Sequence, residues 1–317
     1  MARLLLCALF LVAAISGQST FGQNTGVTPD LEEGMKPFGD FSGGDIDMVS
    51  LSSGKLVLSI PLASYPQRSG KLTLAFELQW RNLTPLLQQS CFNQCTITGY
   101  RNYSGAGSLV FVSNYDYGAG LSYAPPGSGI TGTYGWATSP DAAEHLMGYL
   151  NPTYETIDAT GMRFDPASLT LSDAQGIRYT MGPLNSPSAG QVTKVEDPNG
   201  NFLTNTINSY GGITSWTDTL GRSIPTPLSA VTTTDYTHCT GPNPITSAST
   251  WTVPGFNGGT QTFKFCYANF PYNFTLTVPG GGPTKNVTGS VQLLQSIVLP
   301  NSTTWTFQYD PAYASLS

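Results

Sequence analysis

Four copies of an Asp-x-x-Gly motif between residues 157 and 224 constrain the fold of this chain more than any other feature. In each copy, apolar residues lie on both sides of the motif. The aspartates and glycines are Asp158 and Gly161, Asp173 and Gly176, Asp197 and Gly200, and Asp218 and Gly221. Aspartate at the start of a tight turn accepts a hydrogen bond from the backbone two residues on, and glycine supplies the positive φ that the turn needs. The pattern predicts a row of β-hairpins, each supported by its neighbours because a single hairpin is only marginally stable in water.

Strict alternation of apolar and polar residues predicts a further hairpin before this row. Residues 55–60 and 71–80 alternate with period two, and the five large side chains Leu72, Leu74, Phe76, Leu78 and Trp80 fall on one face. Shorter alternating runs between residues 250 and 310 predict more strands. Only 10% of residues are charged while 11% are aromatic, and the chain has 35 Gly and 23 Pro, a composition that favours short strands joined by turns over disorder. We therefore expect an all-β fold of consecutive antiparallel hairpins that form a curved sheet.

The segment 139–147 (SPDAAEHLM) is compatible with two local structures. Ser139 and Pro140 suit the start of a helix, as N-cap and first helical residue. The same residues also suit a strand, a turn and a second strand.

The first 22 residues have the layout of a secretory signal peptide. A single positive charge at Arg3 precedes the apolar run 4–15, which is too short to span a membrane, and small polar residues follow. The alternative is a buried N-terminal helix. We expect a secreted or cell-surface protein without a membrane span in its mature chain. The net charge of −6 and the absence of a basic patch argue against nucleic acid as a partner.

The sequence suggests four regions. These are a signal peptide (1–22), a lead-in with little regular structure (23–54), an N-terminal β-region (55–150) and the hairpin repeats (151–317).

Four cysteines remain after removal of the signal peptide, an even number that suggests disulfides in an exported chain. The simplest pairing joins Cys91 to Cys95 and Cys239 to Cys266. A zinc site formed by some of these cysteines and His238 is the alternative.

No catalytic, cofactor or metal residue is assigned from the sequence. His238 precedes Cys239, but neighbours on a strand point to opposite faces, which disfavours a Cys–His nucleophile. The motif aspartates are candidates for the two carboxylates of a glycosidase, although a turn favours aspartate at the same positions. Tryptophans exposed in a row would suit stacking on sugars, whereas buried ones would belong to the core. These tryptophans are Trp136, Trp216, Trp251 and Trp305.

Several motifs together resemble the Rhs/YD-repeat family. The resemblance lies in VEDPNGNFLT and SYGGITSWTDTLGRSI within 195–224, in LPNSTTWTFQYD at 299–310, and in the segment from Ile46 to Trp80. It favours the hairpin over the helix at 139–147. It implies a non-enzymatic β-shell or cage, used for encapsulation of a C-terminal effector or for presentation at the cell surface.

Under this resemblance we expect a C-terminally truncated part of a longer protein, with further repeats or an effector as partner. The alternative function is a secreted carbohydrate-binding or adhesive β-protein that contacts polysaccharide through exposed aromatic residues. A glycan hydrolase is the third and weakest option.

Overall fold

The computed structural model describes most of the chain after residue 40. The ranges are 41–44, 46–50, 56–68, 71–81, 86–92, 94–101, 109–123, 133–141, 143–183, 185–276 and 285–309. Within them all 23 strands pair antiparallel with their neighbours, and the only helical segments are two single 3-10 turns. The expected all-β fold of consecutive hairpins is confirmed. No helix in the described ranges has the length and apolar character that crossing a membrane requires. The expected signal peptide lies outside these ranges.

The first sheet has the order β1-β2-β3-β4-β7, and β5 and β6 form a separate two-stranded ribbon. The strands are β1 (Phe41–Gly43), β2 (Asp47–Ser50), β3 (Leu56–Pro66), β4 (Thr73–Arg81), β5 (Leu86–Phe92), β6 (Gln94–Arg101) and β7 (Leu109–Ser113). The predicted hairpin is the β3–β4 pair. Leu72, Leu74, Phe76 and Leu78 are buried, and Trp80 at the end of the strand is half-buried. The lead-in expected to lack regular structure contains β1 and β2, because β2 pairs with β3 and β1 pairs with β2.

The central sheet contains eleven strands in chain order, each paired with the next. They are β8 (Gly118–Tyr123), β9 (Thr133–Thr138), β10 (Glu144–Leu150), β11 (Thr153–Thr156), β12 (Arg163–Asp165), β13 (Thr170–Ser172), β14 (Arg178–Met181), β15 (Val192–Glu196), β16 (Phe202–Ile207), β17 (Ile213–Asp218) and β18 (Ser223–Pro225). The segment 139–147 is the turn and second strand of the β9–β10 hairpin, and not a helix. The repeat sheet therefore continues across residue 150, where the sequence suggested a boundary.

A third sheet follows, in the order β19-β20-β21-β22-β23. Its strands are β19 (Val231–Thr233), β20 (Ile245–Pro254), β21 (Thr260–Leu276), β22 (Lys285–Val298) and β23 (Thr304–Thr306). The predicted disulfide between Cys239 and Cys266 is present and ties the segment before β20 to β21. Cys91 and Cys95 lie directly opposite each other in the β5–β6 ribbon, but their side chains are outside what the structure describes.

One hydrophobic core joins the three sheets. Phe76 of the first sheet packs edge-on against Trp251 of the third, with ring centroids 5.4 Å apart. The indole Nε1 of Trp251 donates a hydrogen bond to the carbonyl oxygen of Pro225 in the central sheet, at 2.9 Å. Phe111 and Phe265 add a second aromatic contact between the first and third sheets, at 4.4 Å. The inward side chains of each sheet are thus buried by the other two.

Candidate functional site at one end of the central sheet

All four Asp-x-x-Gly motifs lie at the same end of the central sheet. Because consecutive strands are antiparallel, every second connection returns to the same end. The connections of β9–β10, β11–β12, β13–β14, β15–β16 and β17–β18 therefore form one row, which we call the turn row. It consists of residues 139–143, 157–162, 173–177, 197–201 and 218–222.

Three of these turns share one hydrogen-bond pattern, shown here for the turn that begins at Asp197. The Gly200 N–H donates to the Asp197 carbonyl oxygen at 3.0 Å, and the Asp197 N–H donates to the Asn201 carbonyl oxygen at 3.0 Å. The carboxylate Oδ1 of Asp197 accepts from the N–H groups of Asn199 and Asn201, at 2.8 and 2.9 Å. With Gly200 at φ +81°, this is a type I turn closed by a glycine bulge, a frequent three-residue hairpin connection.

The turn at Asp158 departs from this pattern although its motif is the same. Ala159 adopts φ +58° before Gly161 at +70°, so the loop is wider. The Oδ1 atom of Asp158 accepts from the Thr160 hydroxyl at 2.7 Å and from the Thr160 N–H at 3.2 Å. Its Oδ2 atom is thereby left to contact the ring of His145 in the preceding hairpin.

Sequence reasoning missed a turn with the same geometry at the opposite end of the sheet. The amide Oδ1 of Asn208 accepts from the N–H groups of Tyr210 and Gly212, both at 2.9 Å, and Gly211 has φ +86°. An asparagine oxygen accepts the same two bonds as a carboxylate oxygen. A search for Asn-x-x-Gly as well as Asp-x-x-Gly would have found it.

The tip of the β3–β4 hairpin docks on the last two turns of the row. Gln67 donates through Nε2 to Asp218 Oδ2 at 3.2 Å. The side-chain Nδ2 of Asn201 donates to the carbonyl oxygen of Arg68 at 2.9 Å. Arg222 donates through Nε to the same Asp218 oxygen at 2.7 Å. In both turns, therefore, one carboxylate oxygen closes the turn. The other accepts a hydrogen bond from a side chain that belongs to the β3–β4 tip or contacts it.

Hydrogen bonds lower the pKa of three aspartates of the row, Asp158, Asp197 and Asp218. Burial raises the pKa of Asp218, but hydrogen bonds from the Arg222 backbone and guanidinium and from Gln67 outweigh it, so the pKa lies below its ordinary value. The same balance lowers the pKa of Asp197, through Asn201 and Asn199. Burial is again outweighed at Asp158, whose pKa is lowered by bonds from Thr160 and His145.

Ser139, His145 and Asp158 form a hydrogen-bonded series between the first two turns of the row. His145 Nδ1 lies 2.6 Å from Asp158 Oδ2, and His145 Nε2 lies 3.2 Å from the Ser139 hydroxyl. The order of groups matches that of a serine hydrolase triad. However, the Ser139 hydroxyl also donates to the carboxylate of Asp141. The Ser139 N–H donates to the Ala143 carbonyl oxygen, and the Ala143 N–H donates to the Asp141 carboxylate. His145 is 3% exposed while Ser139 and Asp158 are partly exposed, and the series links the two hairpins through the buried imidazole.

The tryptophans considered for sugar stacking do not form one exposed row. Trp216 and Trp251 are 0% and 1% exposed and belong to the core, which was the alternative role. Trp136 is half-buried on β9, and Trp305 is 39% exposed on β23.

The residues considered for metal binding and for thiol chemistry do not form such a site in the described ranges. Cys239 is in a disulfide, which removes it as a nucleophile beside His238 and as a zinc ligand. No group of three His, Cys, Asp or Glu side chains suited to a metal ion occurs in the described ranges.

No protein-family model matches the chain, and a search of curated proteins found no significant match. The resemblance to the Rhs/YD-repeat family accordingly depends on the motifs quoted above.

Proposed function

We propose that this protein is a structural wall element of an exported or cell-surface β-shell of the Rhs/YD-repeat type, and not an enzyme. The observation that carries the proposal is the turn row. Eleven strands follow one another in chain order, and all four Asp-x-x-Gly turns lie at one end of the sheet they build. Such a sheet grows by adding one hairpin after another, as a repeat protein does.

The use of the turn carboxylates supports a structural role. A glycosidase needs two carboxyl groups that face a substrate across a cleft. In the turn row, Asp173, Asp197 and Asp218 each direct Oδ1 at two backbone N–H groups of their own turn. Their Oδ2 atoms accept from Tyr179, from Asn201, and from Gln67 and Arg222.

Of two sheet edges, β8 is closed within the molecule and β23 is the one from which the proposed wall continues. The edge strand β8 is fastened to the start of β15: Ala119 N–H donates to the Gly190 carbonyl at 3.0 Å, and Val192 N–H donates to the Tyr117 carbonyl at 3.3 Å. At the other end of the described chain, β23 is the edge of the third sheet. Under this proposal, further hairpins of a longer protein pair with β23, and an effector or the cell surface is what the wall serves.

The proposal is tested on the product of the complete gene, exported from its own cells with a C-terminal tag. We expect the mature N-terminus to fall between residues 16 and 22, region 41–309 to resist limited proteolysis, and electron microscopy to show a hollow or extended wall. Rapid proteolysis throughout 41–309, or an extended chain without a wall, would contradict the proposal. Glycan hydrolysis that is lost on a single Asp→Asn change in a folded turn row would contradict it as well.

A further inference from the structure

A cavity of about 710 Å³ lies between the first sheet and the central sheet. Its lining includes the buried rings of Phe76 and Trp216, and the exposed lining residues Gln191 and Leu228 mark its mouth. This volume falls within the range of small-molecule sites, roughly 300–1,000 Å³. The proposed wall function makes no use of this cavity.

Several polar groups of the cavity wall are hydrogen-bonded within the protein, whereas the indole Nε1 of Trp216 is buried without a partner. Asp116, the only charged residue among the lining residues, accepts from the Ser113 N–H at 2.8 Å and from the Ser113 hydroxyl at 2.7 Å. The Thr226 hydroxyl donates to the carbonyl of Ile213 at 2.6 Å. The Tyr115 hydroxyl accepts from the backbone of Thr73 at 3.2 Å. What the wall presents to a ligand is therefore mainly apolar and aromatic surface.

One wall of the cavity is a tryptophan ring held flat against glycines. Trp136 lies across β8, where a Cβ atom added to Gly120 would come within 2.9 Å of the ring and one added to Gly118 within 3.3 Å. Side chains at these positions would displace the ring. At the mouth, Leu228 is 61% exposed, which places an apolar side chain in water beside the opening.

We propose that this cavity binds one uncharged apolar small molecule, of the aromatic or aliphatic class. The aromatic and aliphatic walls supply contact area, and the one charged lining residue, Asp116, has both carboxylate oxygens bonded to Ser113. A sugar would leave many hydroxyl groups without partners in such a wall, and each buried unpaired polar group is costly. A neutral apolar ligand loses nothing of that kind.

The test uses the neutral fluorescent probe N-phenyl-1-naphthylamine with the folded protein. We expect saturable binding of one probe per chain, seen as enhanced probe fluorescence. Leu228→Asp places a charge at the mouth and should weaken binding by about tenfold or more. The matched control is Leu220→Asp, because Leu220 is an exposed leucine at the opposite end of the central sheet, and its affinity should stay within about twofold. Circular dichroism checks the fold of every variant.

Three results would overturn the proposal. The first is the absence of saturable probe binding to the unaltered protein. The second is equal weakening by Leu228→Asp and Leu220→Asp, which would place the probe outside the cavity. The third is displacement of the probe by a neutral oligosaccharide such as maltotetraose, which would make the cavity a sugar site. None of these results bears on the wall function, because each variant is compared at constant fold.

Discussion

Replacement of Asp218 tests most directly whether the turn row holds the first sheet to the central sheet. The side chain of Asp218 is 0% exposed. Its Oδ1 accepts from the N–H groups of Leu220 and Arg222, at 3.0 and 2.9 Å. Its Oδ2 accepts from Arg222 Nε at 2.7 Å and from Gln67 Nε2 at 3.2 Å. Asp218→Ala removes all four bonds, while Asp218→Asn removes the charge and keeps an acceptor for the turn.

The size of the effect follows from these contacts. Removing one partner of a buried ion pair costs about 3–5 kcal/mol of unfolding free energy. The Arg222 side chain is 35% exposed and can be rehydrated, so we expect the lower end, about 3 kcal/mol, for Asp218→Ala. Gln67 adds little to the loss, because its Nε2 keeps a second hydrogen bond to the carbonyl oxygen of Tyr65 at 3.1 Å. Asp218→Asn should lose about 1.5 kcal/mol, since Asn208 closes an equivalent turn with an amide oxygen.

Urea denaturation followed by tryptophan fluorescence measures these free energies. The control is Asp165→Ala, in the β12–β13 turn at the opposite end of the sheet. Both oxygens of Asp165 accept bonds from its own turn, from the Ala167 N–H at 2.9 Å and the Ser168 hydroxyl at 2.8 Å. Its replacement should cost clearly less than Asp218→Ala. Equal losses in the two variants, or a loss below about 1 kcal/mol for Asp218→Ala, would refute the role of Asp218 in holding the two sheets together.

Three further outcomes are expected from the turn and disulfide geometry. The folded pKa of Asp158 lies below its ordinary value of 3.8, so the stability that its ionised form contributes is present above that pH and is lost as the pH falls through the folded pKa. The melting temperature should therefore decrease when the pH is lowered below about 4. In Asp158→Asn this decrease should be less steep. Gly200→Ala should lower the unfolding free energy by about 1 kcal/mol in urea denaturation, because a residue with a Cβ atom disfavours φ +81°. The added Cβ meets nothing within 4 Å, so no steric clash adds to this cost. Gly211→Ala should cost more, since its Cβ would lie 2.6 Å from the Pro187 carbonyl oxygen; equal costs would contradict this. Replacing Cys239 and Cys266 by serine should lower the unfolding free energy by about 3 kcal/mol, from the 27-residue separation, and an unchanged urea midpoint would show that the crosslink does not stabilise the fold.

The buried imidazole of His145 shows where sequence reasoning reached its limit. The segment 139–147 was compatible with a helix or a hairpin, because Ser-Pro at its start suits both. Pairing of β10 with β9 and β11 decides for the hairpin and brings His145 beside Asp158, 13 residues on. A helix at 139–147 would not place the ring there.

The sequence by itself determined the hairpins of the repeat region and the residues that turn them. An Asp-x-x-Gly turn is closed by atoms within five consecutive residues, so the position of each turn can be predicted from spacing, and three of the four copies share one geometry while Asp158 departs from it. The alternation in β4 likewise assigned its buried face, because successive side chains on a strand point to opposite sides.

Only the tertiary structure decided which of the similar turns carry contacts to the rest of the molecule. Asp218 contacts Gln67 across 151 residues and Asn201 contacts Arg68 across 133, and no local pattern encodes which hairpin tip reaches which turn. The burial of Trp216 and Trp251 was likewise settled by the packing of three sheets around one core. The physical reason is that turns are closed by neighbouring residues, whereas burial depends on surfaces contributed by distant parts of the chain.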